Sequence, residues 1–123
     1  MLKTIIIVGA GSCIGGVARY LVGRIFKPEV LQSFPWATLI VNVVGCFIIG
    51  IIYGYLERHG TLSPQMRTFL AVGFCGGFTT FSSFMHESYT LASTQGVITA
   101  AAYAAASFAL GLLGLYGGIK LAC

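Results

Sequence analysis

The stretch from Gly73 to Phe84 reads GFCGGFTTFSSF and lies within an apolar run, about 69 to 91, that is long enough to cross a membrane. Glycine costs roughly 1 kcal/mol relative to alanine inside a helix, and a hydroxyl in hydrocarbon needs a hydrogen-bond partner. Adjacent glycines followed by threonines and serines therefore predict a broken helix. Broken helices at membrane depth face protein or water, and transporters place ion sites there. We therefore take this stretch as the candidate functional site.

Composition places the whole chain in a membrane. Of its 123 residues, 57% are hydrophobic and only 8% are charged, whereas a soluble domain carries about 25% charged residues. The formal net charge is +4, but the seven basic residues are spread along the chain, so no nucleic-acid partner is expected. The first apolar run is too long for a signal peptide and is predicted to remain as a membrane span.

Four apolar segments are each long enough to span a bilayer, which requires about 20 residues per helix. They run from about 4 to 26, 36 to 56, 67 to 91 and 96 to 120, and short polar joints connect them. The sequence therefore predicts an all-α membrane protein with a single domain, 1–123, whose third transmembrane helix is broken in mid-membrane.

Basic residues are divided almost evenly between the two sides of the predicted membrane domain. One side carries Lys3, Arg58, Arg67 and Lys120. The other carries Arg24 and Lys27, with Arg19 in addition if it reaches that interface. Because such a weak bias does not fix orientation, the chain is expected to insert both ways and to pair as an antiparallel, dual-topology homodimer.

Four helices are few to enclose a pore, so we expect a pathway at a subunit interface. Small residues allow helices to approach closely, and the second and fourth spans are rich in glycine. The glycines concerned are Gly45, Gly50, Gly54, Gly111, Gly114 and Gly118. The alternative is that these glycines serve ordinary helix packing.

Phe81 and Phe84 are three residues apart and therefore share a helix face if the segment after the break is helical. The edge of an aromatic ring is positive, so ring edges can contact a small anion without trapping it as a full charge would. Conduction requires binding that is favourable but readily reversed. The two rings could instead face lipid or core. Hydroxyls beside them, on Thr80, Ser82 and Ser83, favour a polar pathway.

Three further polar residues lie inside the predicted spans. Asn42 is in the middle of the second span, where its amide could bind an anion or join two helices. Tyr103 and Ser107 are four residues apart on the fourth span and present their hydroxyls on one face. Alone, this pair is a weak signal.

Arg19 lies in the first span, where a buried arginine by default marks a vestibule or a paired site, although its side chain could also extend to the interface. Glu87, three residues after Phe84, is a possible partner of Arg19 or a cap near the far end of the third span. No pair of carboxylates, Ser-His-Asp set or Cys-His set lies at a common depth. The chain is therefore not expected to be an enzyme.

Together these motifs resemble the Fluc-type (CrcB) fluoride channels, and the resemblance covers essentially the whole chain. The matching motifs are Gly15-Gly16-x-x-Arg19-Tyr20, Thr38-Leu39-x-Val41-Asn42-x-x-Gly45 and Gly76-Gly77-Phe78-Thr79-Thr80-Phe81-Ser82-Ser83-Phe84. The departures are small, since Ala37 stands where the family often has glycine and Ser83 where threonine is usual.

The resemblance implies an antiparallel homodimer with two separate fluoride pores in a bacterial inner membrane. It implies that Phe81 and Phe84 of the two subunits form an aromatic box and that Asn42 donates a hydrogen bond to the ion. Tyr103 and Ser107 would also face the pore. The hydroxyls of Thr80, Ser82 and Ser83 would form a polar track, and Arg19 would line a positively charged vestibule.

The resemblance also implies one structural sodium ion on the two-fold axis, held by the backbone carbonyls of Gly76 and Thr79 from both subunits. A helix break frees carbonyl oxygens, which are ligands suited to a hard cation. Two antiparallel copies would bring two carbonyls each to one axis.

Two other classes of protein remain as alternatives. A small four-span multidrug exporter also uses antiparallel dimers, but proton exchange would be expected to need a carboxylate within the membrane. Glu87, near the end of a span, is the only candidate. An accessory subunit without transport of its own would explain the small size of the chain, but not the polar break beside two phenylalanines.

Overall fold

Four long helical stretches account for almost the whole chain in the computed structural model, which describes residues 1–123, and there is no strand. The helices are α1 (Leu2–Ile25), α2 (Pro28–Ser33), α3 (Trp36–His59), α4 (Pro64–Arg67), a π-helical segment (Thr68–Phe74), α5 (Cys75–Phe78), α6 (Phe81–Thr94) and α7 (Val97–Ala122). Four stretches, namely α1, α3, Pro64–Thr94 and α7, are long and apolar enough to cross a membrane. The predicted all-helical chain with four candidate spans is confirmed.

Proline, serine and glycine set the joints between the helices. Pro28 and Pro64 occupy first helical positions, where a missing N–H costs no hydrogen bond. The Ser63 hydroxyl accepts a hydrogen bond from the Met66 N–H at 3.1 Å and so caps α4. Gly60 closes α3 with φ of 72°, and Gly96 precedes α7 with φ of 104°, conformations that favour glycine.

The third stretch is composite. It begins as α4, widens into the π-helical segment and returns to α-helical geometry in α5. Thr79 and Thr80 are then extended, with ψ of 159° and 122°, before α6 begins. The helix is therefore interrupted just after the adjacent glycines Gly76 and Gly77. The sequence pattern does not predict the π-helical segment.

Two pairs of closely packed elements form the body of the molecule. In the first pair, α3 packs on α7, and a side chain added at Gly50, Gly54 or Gly118 would collide with the backbone of the opposite helix. In the second pair, α1 packs on the π-helical segment and α5, and Gly15 leaves space only for the Phe74 carbonyl and the Phe78 N–H. These glycines of α3 and α7 therefore serve packing within the chain.

Large apolar side chains cover much of the outer surface, especially along α1 and α7. The small buried cluster where α3, α6 and α7 meet consists of Leu39, Leu91 and Tyr103, with Phe84 packed against it. Such an apolar surface and such a small buried core are typical of a molecule that is surrounded by lipid or by a second protein surface.

Candidate functional site

The helix interruption is held by Asn42 of α3. The Thr80 N–H donates to Asn42 Oδ1 at 2.8 Å, and Asn42 Nδ2 donates to the Thr80 carbonyl at 3.1 Å. Both backbone groups of an extended residue are thus satisfied by one side chain. Of the two roles expected for Asn42, the structure shows the link between helices, and the amide keeps one further N–H for another acceptor.

The interruption removes the usual hydrogen-bond donors from two carbonyl oxygens. In a continuous helix the Thr80 N–H would pair with the Gly76 carbonyl, but here it donates to Asn42. Likewise the Ser83 N–H, which would pair with the Thr79 carbonyl, donates to Thr80 Oγ1 at 3.2 Å. The carbonyls of Gly76 and Thr79 are therefore free for another ligand, and Gly76 lies on the exposed surface.

Free carbonyl oxygens are the ligand type that a hard cation such as sodium accepts. The chain has no cluster of three or more histidine, cysteine or acidic side chains that could bind a metal. The freed carbonyl oxygens of Gly76 and Thr79 are of this ligand type, although two ligands alone do not complete a hard-cation site.

Arg19 of α1 binds a third carbonyl that the interruption frees. Its Nε donates to the Gly77 carbonyl at 3.1 Å, so the guanidinium connects α1 with the end of α5. Arg19 also lines an open groove of about 580 Å³, together with Thr80, Ser82 and Ser83. Three of the predicted hydroxyl residues and the predicted vestibule arginine thus line one groove.

Glu87 lies in the same groove and accepts a hydrogen bond from Thr38 Oγ1. This bond connects α3 with α6 one turn above the Asn42 contact, since Thr38 and Asn42 are four residues apart on α3. The partner of Glu87 in the structure is thus Thr38 and not Arg19, the partner considered from the sequence. Arg19 donates to the Gly77 carbonyl instead. Because Thr38 and Glu87 are 49 apart in the sequence, no local sequence pattern predicts their contact.

The aromatic residues continue from the interruption towards α7. The ring centroids of Phe81 and Phe84 are 6.1 Å apart, and those of Phe84 and Tyr103 are 5.1 Å apart. Phe81 is 72% exposed on the surface of this chain, while Tyr103 is completely buried. The two phenylalanines therefore do not enclose a site within one chain, because one ring faces inward and the other outward.

A second cavity, about 560 Å³ in volume, lies on the α7 side of α6. It is lined by Asn42, Phe84, Ser107 and Phe108, with two alanines of α7. The buried hydroxyls of Ser107 and Tyr103 have no hydrogen-bond partner in the chain. An unpaired buried polar group costs roughly 1 to 3 kcal/mol, and native structures keep few of them. Of the two residues, only Ser107 lines this cavity, so its hydroxyl is available to a ligand there.

The site residues form two groups around the interruption. Arg19, Ser82 and Ser83 lie in the groove beside α1, and Ser107 lies in the cavity beside α7. Asn42 reaches both regions, since it lines the cavity and binds Thr80, which lines the groove. A polar interruption, unpaired hydroxyls and four apolar helices define a small polytopic membrane protein with a polar site between its helices.

Comparisons with known proteins narrow this class. Residues 6–119 match a family model described as CrcB-like protein, Camphor Resistance (CrcB). A Flavobacterium psychrophilum protein named fluoride-specific ion channel FluC is 38% identical over 98% of both chains. A protein of that name from Chlorobium luteolum is 45% identical over 94% of this chain and 89% of its own length. Another protein of that name, from Rhizobium meliloti, is 40% identical over 98% of this chain and 96% of its own length.

The chain therefore belongs to the CrcB family, and the resemblance drawn from its sequence motifs is confirmed. Together with the four apolar helices, membership of this family makes it a multi-pass membrane protein.

Proposed function

We propose that this protein is a passive, fluoride-selective ion channel and not an enzyme. The observation that carries the proposal is the polar helix interruption beside Phe81 and Phe84, with unpaired hydroxyls next to it. Several relatives over nearly the full length bear the name fluoride-specific ion channel. In the cell, such a channel would let fluoride leave the cytoplasm.

Fluoride is small and strongly hydrated, so a pathway must replace its water with closely spaced donors. The second N–H of the Asn42 amide and the free hydroxyls of Tyr103 and Ser107 supply such donors. The positive ring edges of Phe81 and Phe84 add weak attraction without a full charge. Binding that is distributed over weak groups lets the ion leave again, as conduction requires.

The hydroxyls of Thr80, Ser82 and Ser83 would form the polar track that leads from the groove to this pathway. Arg19 lines the same groove, so it would supply positive potential at the vestibule. Its guanidinium is already bonded to the Gly77 carbonyl, which holds it in place and moderates its attraction for a passing anion.

We further propose that the channel is an antiparallel, dual-topology homodimer, with its pores at the subunit interface. Phe81 exposes 72% of its surface, and a second copy would enclose it. The weak bias of basic residues permits both orientations. In such a dimer, Phe81 of one subunit and Phe84 of the other would form the two sides of an aromatic box. The interruption would then lie in mid-membrane.

A structural sodium ion at the dimer axis fits the free carbonyls of Gly76 and Thr79. Exposure of Gly76 on the surface of the chain lets a second copy approach and supply matching oxygens. When bound, the ion neutralises carbonyl dipoles that the interruption leaves without donors. It would hold the two subunits together and take no part in transport.

Proton-coupled drug export is the less favoured alternative. Glu87 is the only acidic residue in the groove, and its carboxylate accepts a hydrogen bond from Thr38. No relative reported above bears an exporter's name. All three are bacterial proteins, which supports our proposal that this chain belongs to a bacterial inner membrane.

Fluoride release from liposomes tests the proposal. Vesicles that contain the purified protein should release fluoride rapidly and retain chloride, and an imposed proton gradient should not drive the release. Glu87→Gln should still release fluoride, whereas an exporter would lose its activity with this carboxylate. Retention of fluoride by vesicles that carry correctly assembled protein would reject the channel.

A further inference from the structure

The largest of the three cavities described here, about 1020 Å³, adjoins the groove beside α1, with which it shares Arg24 and Glu87, and is open to the surface. It is found at the end where α1 and α6 terminate and α3 and α7 begin. Its walls are the α1–α2 joint and the last turns of α6. Gln95 Nε2 donates to the Ser33 carbonyl at 2.7 Å and fastens the α6–α7 joint to α2. Because all four spans end here, the cavity opens at a membrane–water boundary.

The charges at the mouth of this cavity favour an anion. Arg24 and Lys27 line it, both exposed, and His86 adds an imidazole. Arg24 donates to the Tyr20 hydroxyl at a long 3.4 Å, which leaves most of its guanidinium donors free. Glu87 is the only acidic residue in the lining, and it already accepts from Thr38.

Apolar side chains form part of the cavity wall. Ile25, Phe26, Leu31 and Leu91 contribute to it, together with two prolines. A small hydrated anion gains nothing from such a wall, whereas an amphiphile buries apolar surface against it at about 25 cal/mol per Å². Thr90, Thr94 and Gln32 add hydroxyl and amide groups to the lining. Cations above an apolar wall match a phosphate attached to an acyl chain.

We propose that this cavity binds one anionic phospholipid. Its phosphate lies between Arg24 and Lys27, and the upper part of one acyl chain lies against Ile25, Leu31 and Leu91. Basic residues near a membrane surface each contribute about 1 kcal/mol of attraction to anionic lipid. Two of them correspond to a preference of about thirtyfold for an anionic over a zwitterionic headgroup. This inference does not rest on fluoride conduction.

Native mass spectrometry of the purified protein, with dioleoyl phosphatidylglycerol and dioleoyl phosphatidylcholine added separately, tests the proposal. We expect one phosphatidylglycerol retained per chain, with a preference over phosphatidylcholine of about thirtyfold. The double variant Arg24→Gln/Lys27→Gln should lose this preference. The matched control Lys3→Gln/Arg67→Gln removes two exposed basic residues at the opposite end and should keep it.

Three results would overturn the proposal. Equal retention of the two lipids by the unaltered protein would show that the cavity does not select an anionic headgroup. Displacement of phosphatidylglycerol by inorganic phosphate at equal concentration would assign the site to free anions. Conversion of the Arg24→Gln/Lys27→Gln variant to monomers, in the same spectra, would show that these residues contact a second copy of the chain.

Discussion

The side-chain amide of Asn42 forms two hydrogen bonds with the backbone of Thr80, accepting from its N–H at 2.8 Å and donating to its carbonyl at 3.1 Å. Thr80 is one of the two extended residues that separate α5 from α6, and its backbone is thereby hydrogen-bonded as it would be in a pair of strands. Since buried backbone groups are seldom left without partners, this pairing makes the interruption compatible with an apolar environment. Asn42 therefore holds the site in shape as well as lining it.

Replacement of Asn42 by leucine should destabilise the protein. Leucine has a similar size but leaves the Thr80 N–H and carbonyl without partners, at a cost of roughly 1 to 3 kcal/mol. Thermal unfolding in detergent should show the loss. Asn42→Asp, which keeps the acceptor for the Thr80 N–H, is the comparison. Leucine as stable as asparagine would mean that the Thr80 backbone is satisfied in another way.

Gly15→Ala should separate α1 from the segment that carries the interruption. The added methyl would collide with the Phe74 carbonyl and the Phe78 N–H, both backbone groups that cannot rotate away. Overpacking of this kind costs about 1 to 3 kcal/mol. Gly9→Ala is the matched control on the same helix, because nothing lies within 4 Å of its added methyl. Equal unfolding temperatures for the two variants would contradict the packing described here.

The hydroxyls of Tyr103 and Ser107 should matter to transport and not to stability. Because neither has a partner, Tyr103→Phe and Ser107→Ala remove unsatisfied groups and should leave the unfolding temperature equal or higher. Fluoride release should nevertheless slow about ten- to hundredfold in each variant, since one lost donor to an ion is worth about 1.5 to 3 kcal/mol. A stability loss with unchanged release would assign these hydroxyls to structure alone.

Sodium should stabilise the assembled protein through the carbonyls of Gly76 and Thr79. Exchange of sodium for N-methylglucamine, which cannot enter a carbonyl site, should lower the unfolding temperature and slow fluoride release. Lithium and potassium, which differ from sodium in radius, serve as the comparison series. Identical behaviour in all four cations would show that these carbonyls bind no metal ion.

Much of the fold follows from the sequence because the length of an apolar segment can be measured locally along the chain. Four apolar runs of sufficient length become four candidate spans, and the glycines and hydroxyls from Gly76 to Thr80 indicate where the third helix is interrupted. The helices also continue beyond the apolar runs, as α3 does to His59, because a helix can extend into water where hydropathy no longer marks it.

The contacts that shape the site could not be predicted from local sequence patterns. Asn42 and Thr80 are 38 residues apart, and Thr38 and Glu87 are 49 apart, so their pairing depends on how helices pack. The π-helical segment likewise has no compositional signature. Phe81 is exposed on the single chain, so a counterpart from a second copy is part of the proposed homodimer and is not visible in one chain.

The most direct test of the channel is fluoride release by Phe81→Ile compared with Tyr89→Ile. Both variants replace an exposed aromatic residue of α6, 72% exposed in Phe81 and 71% in Tyr89. Only Phe81 begins α6 beside the interruption, with its ring centroid 6.1 Å from that of Phe84. With protein of equal amount and assembly, we predict that Phe81→Ile nearly abolishes release and that Tyr89→Ile releases fluoride as the unaltered protein does. Undiminished release by Phe81→Ile would contradict a fluoride pathway beside this ring.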